Sequence, residues 1–251
     1  MKTNRIKEIE EYILINESVT LKSLCNAFKI SKNTIRRDIT EIEKKGSIKK
    51  VYGGVTAVIK NLIPFEERNI KNNYIKMVIA KAACEFINDG DVILIDSGTT
   101  TLNMIKFLKD KNNITILTNN LNFIINALSF PNLNIICIGG SLIRKTSSFE
   151  VINPLSIFKD YNISKTFMAA TGISISNGAT NSSPLEYNLK KVIVEKSNDL
   201  YLLVDSSKFD VSALMTYCQL SDINHIVTDK KPPEEYIEFF KENKIDVFIS
   251  K

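Results

Sequence analysis

The sequence predicts an α/β protein in two parts: a small helical module with a β-wing, then a larger open, mostly parallel sheet with helices on both faces. Three observations lead there. Apolar residues recur at helical spacing through the first helices; short apolar strands alternate with helical stretches from Val92 onward; and excess positive charge is confined to the beginning of the chain. Residues 1–60 hold 13 Lys or Arg against 7 Asp or Glu, whereas the remaining 191 residues hold 20 and 21. A basic module beside a neutral one is the pattern expected when only one part meets nucleic acid.

At 251 residues two domains are expected, and 44% hydrophobic with 24% charged residues is the balance of an ordinary globular protein. Met1 to Glu8 carries charges throughout and lacks the apolar stretch of a signal peptide. No run approaches the roughly 18 apolar residues that cross a bilayer, so a cytoplasmic protein without a membrane partner is expected. Cys25, Cys84, Cys137 and Cys218 are far apart and His225 is the single histidine. That supply does not make a zinc centre; buried free thiols and a structural histidine are expected, with no metal or cofactor.

In the N-terminal module, Ile6, Ile9 and Ile13 share one helical face, and the segment ends near Asn16. Thr20 is placed to cap a second helix carrying Leu21, Leu24 and Phe28. Ser31 caps a third, in which Ile35, Ile39 and Ile42 face inward and Gly46 can close the C-terminus. Two short helices, a tight turn and a longer third helix make a helix-turn-helix. With the isoleucines buried, Asn33, Arg36, Arg37 and Thr40 project outward. A helix in the major groove reads bases near its N-terminus, here Lys32, Asn33, Thr34, Arg36 and Arg37. Arg pairs bidentately with guanine and Asn with adenine, while Ser31 and Lys32 suit phosphates.

Ser47 to Tyr52 then reads as a strand, followed by Gly53-Gly54 and a second strand from Val55 to Ile59. This is a wing whose Lys49, Lys50, Tyr52, Gly53 and Gly54 are candidate contacts to double-stranded DNA. A three-helix protein-docking module with an incidental basic face is the competing reading. The run Ser31 to Ile39, with Glu41, Gly46 and Tyr52-Gly53-Gly54-Val55, resembles the winged helix-turn-helix of DeoR-type regulators. The family usually has His where Tyr52 stands.

Residues 1–58 are thus the winged module, 59–73 a joining stretch containing Pro64, and 74–251 the α/β domain. A helix is expected from Asn73 to Ile87. Strands are expected at Val92–Ile95, Ile114–Leu117, Ile135–Ile138, Thr166–Ala169, Tyr201–Val204 and His225–Thr228. Thr100–Leu108, Leu121–Leu128 and Leu185–Lys196 read as helices between them.

Ligands of such sheets bind at the carboxyl ends of strands. The first strand runs into Asp96-Ser97-Gly98-Thr99-Thr100-Thr101, where free amides and hydroxyls converge as an anion cradle. The next ends in Thr118-Asn119 and the third in Gly139-Gly140, with Arg144 nearby. Another ends in Asp205-Ser206-Ser207-Lys208, and Arg144 and Lys208 can balance an anion. Neither dinucleotide nor P-loop glycine motifs are present.

These strand ends, with Gly172-Ile173, Phe209 and Thr228-Asp229, resemble the DeoR-family sensor domain, so the resemblance spans nearly the whole chain. It implies a fold similar to ribose-5-phosphate isomerase and glucosamine-6-phosphate deaminase. It also implies a phosphorylated sugar held by residues 96–101 and Lys208, repression of a sugar operon, and a homo-oligomer. Many relatives carry Asp where Thr171 stands, and a sugar isomerase needs such a base. No catalytic residue is therefore expected. An isomerase- or deaminase-like enzyme with a DNA-binding domain, and an architectural DNA-binding protein, are the alternatives.

Overall fold

A computed structural model describes residues 2–16, 18–44, 47–51, 53–57 and 63–250. The chain divides into two compact units, Met1–Leu62 and Ile63–Lys251.

The first unit contains helices α1 (Lys2–Ile15), α2 (Leu21–Phe28) and α3 (Lys32–Lys44) and strands β1 (Ser18–Thr20), β2 (Ile48–Val51) and β3 (Gly54–Ala57). The strands form an antiparallel sheet in the order β1-β3-β2. Ile6, Ile9, Ile13, Leu24, Ile35, Ile39 and Ile42 are buried with Ile48 and Val55, so the isoleucine spacing builds one core. Thr20 caps α2, accepting from Ser23 N at 3.0 Å, and Ser31 Oγ accepts from Thr34 N at 3.3 Å at the start of α3. Strand β1 pairs with the wing, a strand too short to read from alternation. Gly46, Tyr52 and the expected end of the wing at 58–59 lie outside the described residues.

The second unit opens with α4 (Phe65–Ile70), inside the stretch expected to be a joiner, and α5 (Asn73–Cys84). Phe65 anchors α4 by burying its ring, a single apolar contact with no period to betray it. Then come β4 (Val92–Ile95), α6 (Thr99–Leu102), β5 (Ile114–Thr118), α7 (Leu121–Ala127) and β6 (Leu133–Cys137). A hairpin of β7 (Ser141–Ile143) and β8 (Ser148–Glu150) precedes α8 (Pro154–Phe158) and β9 (Lys165–Ala169). Strands β10 (Gly172–Ser174) and β11 (Gly178–Asn181) lead into α9 (Pro184–Lys196) and β12 (Leu200–Leu203). The unit closes with β13 (Met215–Cys218), β14 (His225–Thr228), α10 (Glu234–Glu242) and β15 (Asp246–Ile249).

Seven strands make the main sheet in the order β15-β14-β12-β9-β4-β5-β6, with each neighbouring pair parallel. The chain fills one half from β4 to β6, then crosses back to β9 and fills the other. The reversal between β4 and β9 is where such sheets leave a crevice at their carboxyl ends. Strands β10, β11 and β13 form a small antiparallel sheet, and the hairpin β7–β8 stands apart.

The expected helix Thr100–Leu108 is instead α6 followed by a 3₁₀ segment, Asn103–Phe107. Asn103 Nδ2 donates to Thr99 O at 3.0 Å, so a side chain competes with the backbone for that carbonyl. Cys84 and Cys218 are buried, but Cys137 is exposed and Cys25 half-buried, which corrects the expectation for those two thiols. His225 is structural: Nε2 lies 2.7 Å from Asp199 Oδ1, and the ring stacks on Tyr201 with centroids 4.3 Å apart. No helix among the described residues is long and apolar enough to cross a membrane.

The core beneath the sheet gathers Ile79 and Ala83 of α5, Ile93 and Ile95 of β4, Ile116 of β5 and Phe167 of β9. Phe167 is fully buried in a central strand and stacks on Tyr201 at 4.9 Å. Phe167→Ala is expected to cost about 3–5 kcal/mol, the range for emptying an aromatic core position. Urea unfolding checks it, and a midpoint within error of wild type would contradict this packing.

Candidate functional site

Two regions gather the candidate functional side chains, one in each unit. In the first, α3 is fixed by a buried carboxylate on its inner face. Asp38 is 1% exposed and receives Arg5 Nε at 2.9 Å and Arg5 Nη2 at 3.1 Å, a bidentate clamp from α1 to α3. On the opposite face Lys32, Asn33, Arg36 and Arg37 are exposed, and their side chains have no hydrogen-bond partner among the described residues. Arg36, Arg37, Thr40 and Lys44 line an open groove along the helix. Lys49 is exposed on β2 and equally uncommitted.

Other expected contacts are already engaged. Lys50 Nζ lies 2.8 Å from Glu43 Oε2 and 2.9 Å from Thr40 Oγ1, and its N–H donates to Glu43 Oε1 at 2.9 Å. These hydrogen bonds hold the Glu43 carboxyl below its usual range, and they make Lys50 a strut between wing and helix. Ser31 and Thr34 share a hydroxyl contact of 3.0 Å as part of the helix cap. Gly53 O accepts from Leu21 N at 3.1 Å, and a Cβ on Gly54 would meet Val19 O at 2.3 Å. Gly54 serves the close approach of β1 and β3, whereas Gly53 takes the left-handed turn conformation at φ 78°. Tyr52 is outside the described residues.

In the second unit the site grows from the carboxyl end of β4. Asp96 is 1% exposed, and each of its oxygens has two donors. Oδ1 accepts from Gly98 N at 2.9 Å and Thr101 Oγ1 at 2.7 Å. Oδ2 accepts from Ala169 N at 3.0 Å and from Lys190 Nζ in a buried ion pair. One carboxylate therefore joins β4, the turn into α6, the end of β9, and α9. Lys190 Nζ also donates to Ala169 O at 3.0 Å and sits 5.1 Å from the Tyr217 ring centroid. Gly98 is required here, because a Cβ would lie 2.6 Å from Ala169 Cβ.

Asp96 and Thr101 thus turn inward, while the other cradle residues remain available. The amides of Ser97, Thr99 and Thr100 and the hydroxyls of Thr99 and Thr100 find no hydrogen-bond partner among the described residues. Ser97 Oγ donates to Glu186 Oε1 at 2.6 Å; Ser148 Oγ reaches the same oxygen at 2.9 Å, and Asn181 Nδ2 reaches Oε2 at 3.2 Å. Glu186 is 5% exposed, so it draws β4, β8 and β11 together at one point.

The remaining expected residues divide. Asn120 N donates to Thr118 Oγ1 at 3.1 Å and Asn119 Nδ2 to Phe149 O at 3.1 Å, which orders the turn after β5. Gly139 is exposed. A Cβ at Gly140 would meet Glu150 O at 1.9 Å, and at Gly172 would meet Val211 O at 2.3 Å, so backbone packing explains both glycines. Arg144 is exposed in the β7–β8 turn, and its side chain has no hydrogen bond or ion pair among the described residues. Lys208 is half-buried after β12, and its ammonium has no partner there.

Sequence reasoning missed four charged residues of this edge: Arg68, Lys76, Glu186 and Lys190. A signal existed. Lys76 stands at i with Ile79, Ala80 and Ala83 at i+3, i+4 and i+7, and Glu186 and Lys190 share a stripe with Leu189 and Ile193. Charges on an apolar stripe are buried charges, which need a partner or a function. Lys76 is 5% exposed, donates to Arg68 O, and has no carboxylate in ion-pair distance among the described residues. Burial first, then the nearby Lys208 ammonium, press its pKa down to about 8, with Arg68 and Lys71 adding and Asp205 opposing. Burial also lowers Arg68, against the pull of Glu186, Asp96 and Glu66.

Residues 5–60 match the DeoR-like helix-turn-helix domain, and residues 71–230 match the DeoR C-terminal sensor domain. The chain is 45% identical over 251 residues to the HTH-type transcriptional regulator IolR of Bacillus subtilis, covering 100% of both chains. It is 28% identical over 256 residues to a lactose phosphotransferase system repressor of Staphylococcus epidermidis, covering 99% of this chain and 98% of that one. A ribose 5-phosphate isomerase A from Methanocaldococcus jannaschii superposes with a TM-score of 0.41 at 17% identity, over 55% of each chain.

The buried ammonium makes a testable linkage. Between about 8 and 10.5 the unfolded chain keeps a proton at Lys76 that the folded chain has released, so stability rises with pH across that window. Unfolding free energies of wild type and Lys76→Met across this range check the sign. The difference between them should shrink or reverse in favour of wild type as pH rises; a difference independent of pH would contradict the burial of this charge.

Proposed function

This chain belongs to the DeoR family of transcription regulators, and on that premise we propose that it represses a sugar-metabolism operon under the control of a phosphorylated sugar. It binds specific double-stranded DNA through the exposed face of α3. The effector binds at the carboxyl edge of the main sheet, at the reversal between β4 and β9. The observation that carries the ligand class is the pair of ammonium groups Lys76 and Lys208, near enough to repel and neither in an ion pair, at an edge rich in free amides and hydroxyls. A phosphate supplies negative charge to this pair, and it accepts from the Ser97, Thr99 and Thr100 amides. Lys208 and Lys76 contact the phosphate, while Thr118, Asn119 and Gly139 frame the sugar.

Binding rather than turnover is the reading for this site. Thr171 Oγ1 donates to Asn181 Oδ1 at 3.3 Å, and the two oxygens of Glu186 are occupied by Ser97, Ser148 and Asn181. A base so engaged is poorly placed to take a proton from a carbon acid. Turnover of sugar phosphates by the purified protein would reverse this reading. The regulator acts as a homo-oligomer, so two recognition helices meet a two-fold repeated operator with half-sites about 34 Å apart or multiples of that.

Anisotropy of labelled DNA from upstream of the protein's own gene, near physiological salt with competitor DNA, tests the whole reading. Specific binding that one member of a sugar-phosphate panel alters is the expected result; specific binding indifferent to the entire panel would remove the effector half. In the same assay Arg37→Ala should weaken specific binding by about 1–3 kcal/mol, the worth of a base-reading arginine. Unchanged affinity would take Arg37 out of the base-reading set. Lys208→Ala should keep DNA affinity and lose the effector response, and a normal response would mean that the pocket is drawn wrongly.

A further inference from the structure

Ile152 is 92% exposed, more than any other large apolar side chain among the described residues. It precedes α8, where Leu155 is 52% exposed. Next to them lies a groove between α8 and α9, floored by Pro154, Leu155 and Val192 and rimmed by Lys191 and Glu195. Ile152 and Leu155 are apolar surface available to a partner next to this groove.

The rim charges identify the occupant. Lys191 and Glu195 are exposed, opposite in sign and one turn apart on α9, about 6 Å along the axis. Neither has an ion-pair or hydrogen-bond partner among the described residues. The order Lys then Glu is the less favourable one for pairing within a helix, which leaves both charges free for an outside partner. A two-fold axis passing between these positions runs α9 antiparallel to its copy and sets each charge against its opposite. One patch then serves both sides, as an isologous contact requires.

We propose that this face of α8 and α9 is the docking surface for a second copy of this chain, held by reciprocal pairing of Lys191 with the partner's Glu195 and by Ile152. The assignment rests on the homo-oligomer in the proposed function and specifies the surface that forms it. A second copy of α9 run antiparallel matches the Lys191–Glu195 pair by symmetry alone.

Sedimentation of the full chain, at a concentration where the wild type is dimeric, tests the surface. Lys191→Glu and Glu195→Lys, each alone, should weaken the dimer at least about tenfold, because each change faces like charges twice across the axis. The double variant K191E/E195K should recover it, which also excludes misfolding as the cause. Ile152→Glu should dissociate the dimer without this rescue. A dimer indifferent to the single charge reversals, or single reversals that the double variant does not rescue, would overturn the surface and leave the oligomer standing. A wild-type chain that stays monomeric at all concentrations would overturn both.

Discussion

The buried carboxylate of Asp96 holds the carboxyl edge of the main sheet in one arrangement. Its four donors come from the turn before α6, from Thr101 within α6, from the end of β9 and from Lys190 on α9. An ion pair removed from water gains little net stability against a well-packed apolar pair, but losing one partner strands the other charge at a cost of about 3–5 kcal/mol. Its value here is geometric. The pair ties the end of β4 to α9, and Ala169 N ties it to the end of β9, at the sheet reversal. It also shapes the electrostatics, since Asp96 and Lys190 pair with each other while Lys76 and Lys208 form no ion pair.

Around that centre the polar network extends outward. Glu186 gathers Ser97 and Ser148, so the hairpin β7–β8 is tied to the turn after β4. Ser147, next along the hairpin, sits at φ 51° with its hydroxyl 3.3 Å from Glu66 on α4, and Phe65 N donates to Lys145 O at 3.0 Å. The carboxyl edge of the sheet, the hairpin and the first helix of the unit are therefore one continuous hydrogen-bonded structure. The recognition helix has its own version of this logic in miniature. Asp38 and Arg5 clamp the inner face of α3, and Lys50 with Glu43 braces the wing against it, so Arg36 and Arg37 project from a rigid support.

Much of this was legible in the residues, and the reasons differ by element. The isoleucine spacing of α1 and α3 and the caps at Thr20 and Ser31 depend on local chemistry, so they read directly. The central strands β4 and β14 also read directly, as short apolar runs bounded by turns. Strand β15, the hairpin β7–β8 and the sheet of β10, β11 and β13 did not, because three or four residues with little alternation resemble loops until their pairing partners are known. Helix α4 escaped for the same reason. For the site, the hydroxyl-rich turn was visible but the direction of each group was not. Asp96 and Thr101 point inward, Gly140 and Gly172 answer to packing, and Lys50 is spent within the fold. Lys76, Glu186 and Lys190 stood in plain sight as charges on apolar stripes.

The central claim is that this edge recognises a phosphate because the ammonium groups of Lys76 and Lys208 form no ion pair within the fold. The direct measurement is the thermal unfolding midpoint of the wild-type chain and of Lys76→Met, each with a panel of sugar phosphates and the same sugars without phosphate. The account predicts a rise in midpoint for the wild type with one or a few phosphorylated members, no rise with their unphosphorylated counterparts, and loss of the rise in Lys76→Met. An equal rise with the unphosphorylated sugar, or an undiminished rise in Lys76→Met, would contradict it.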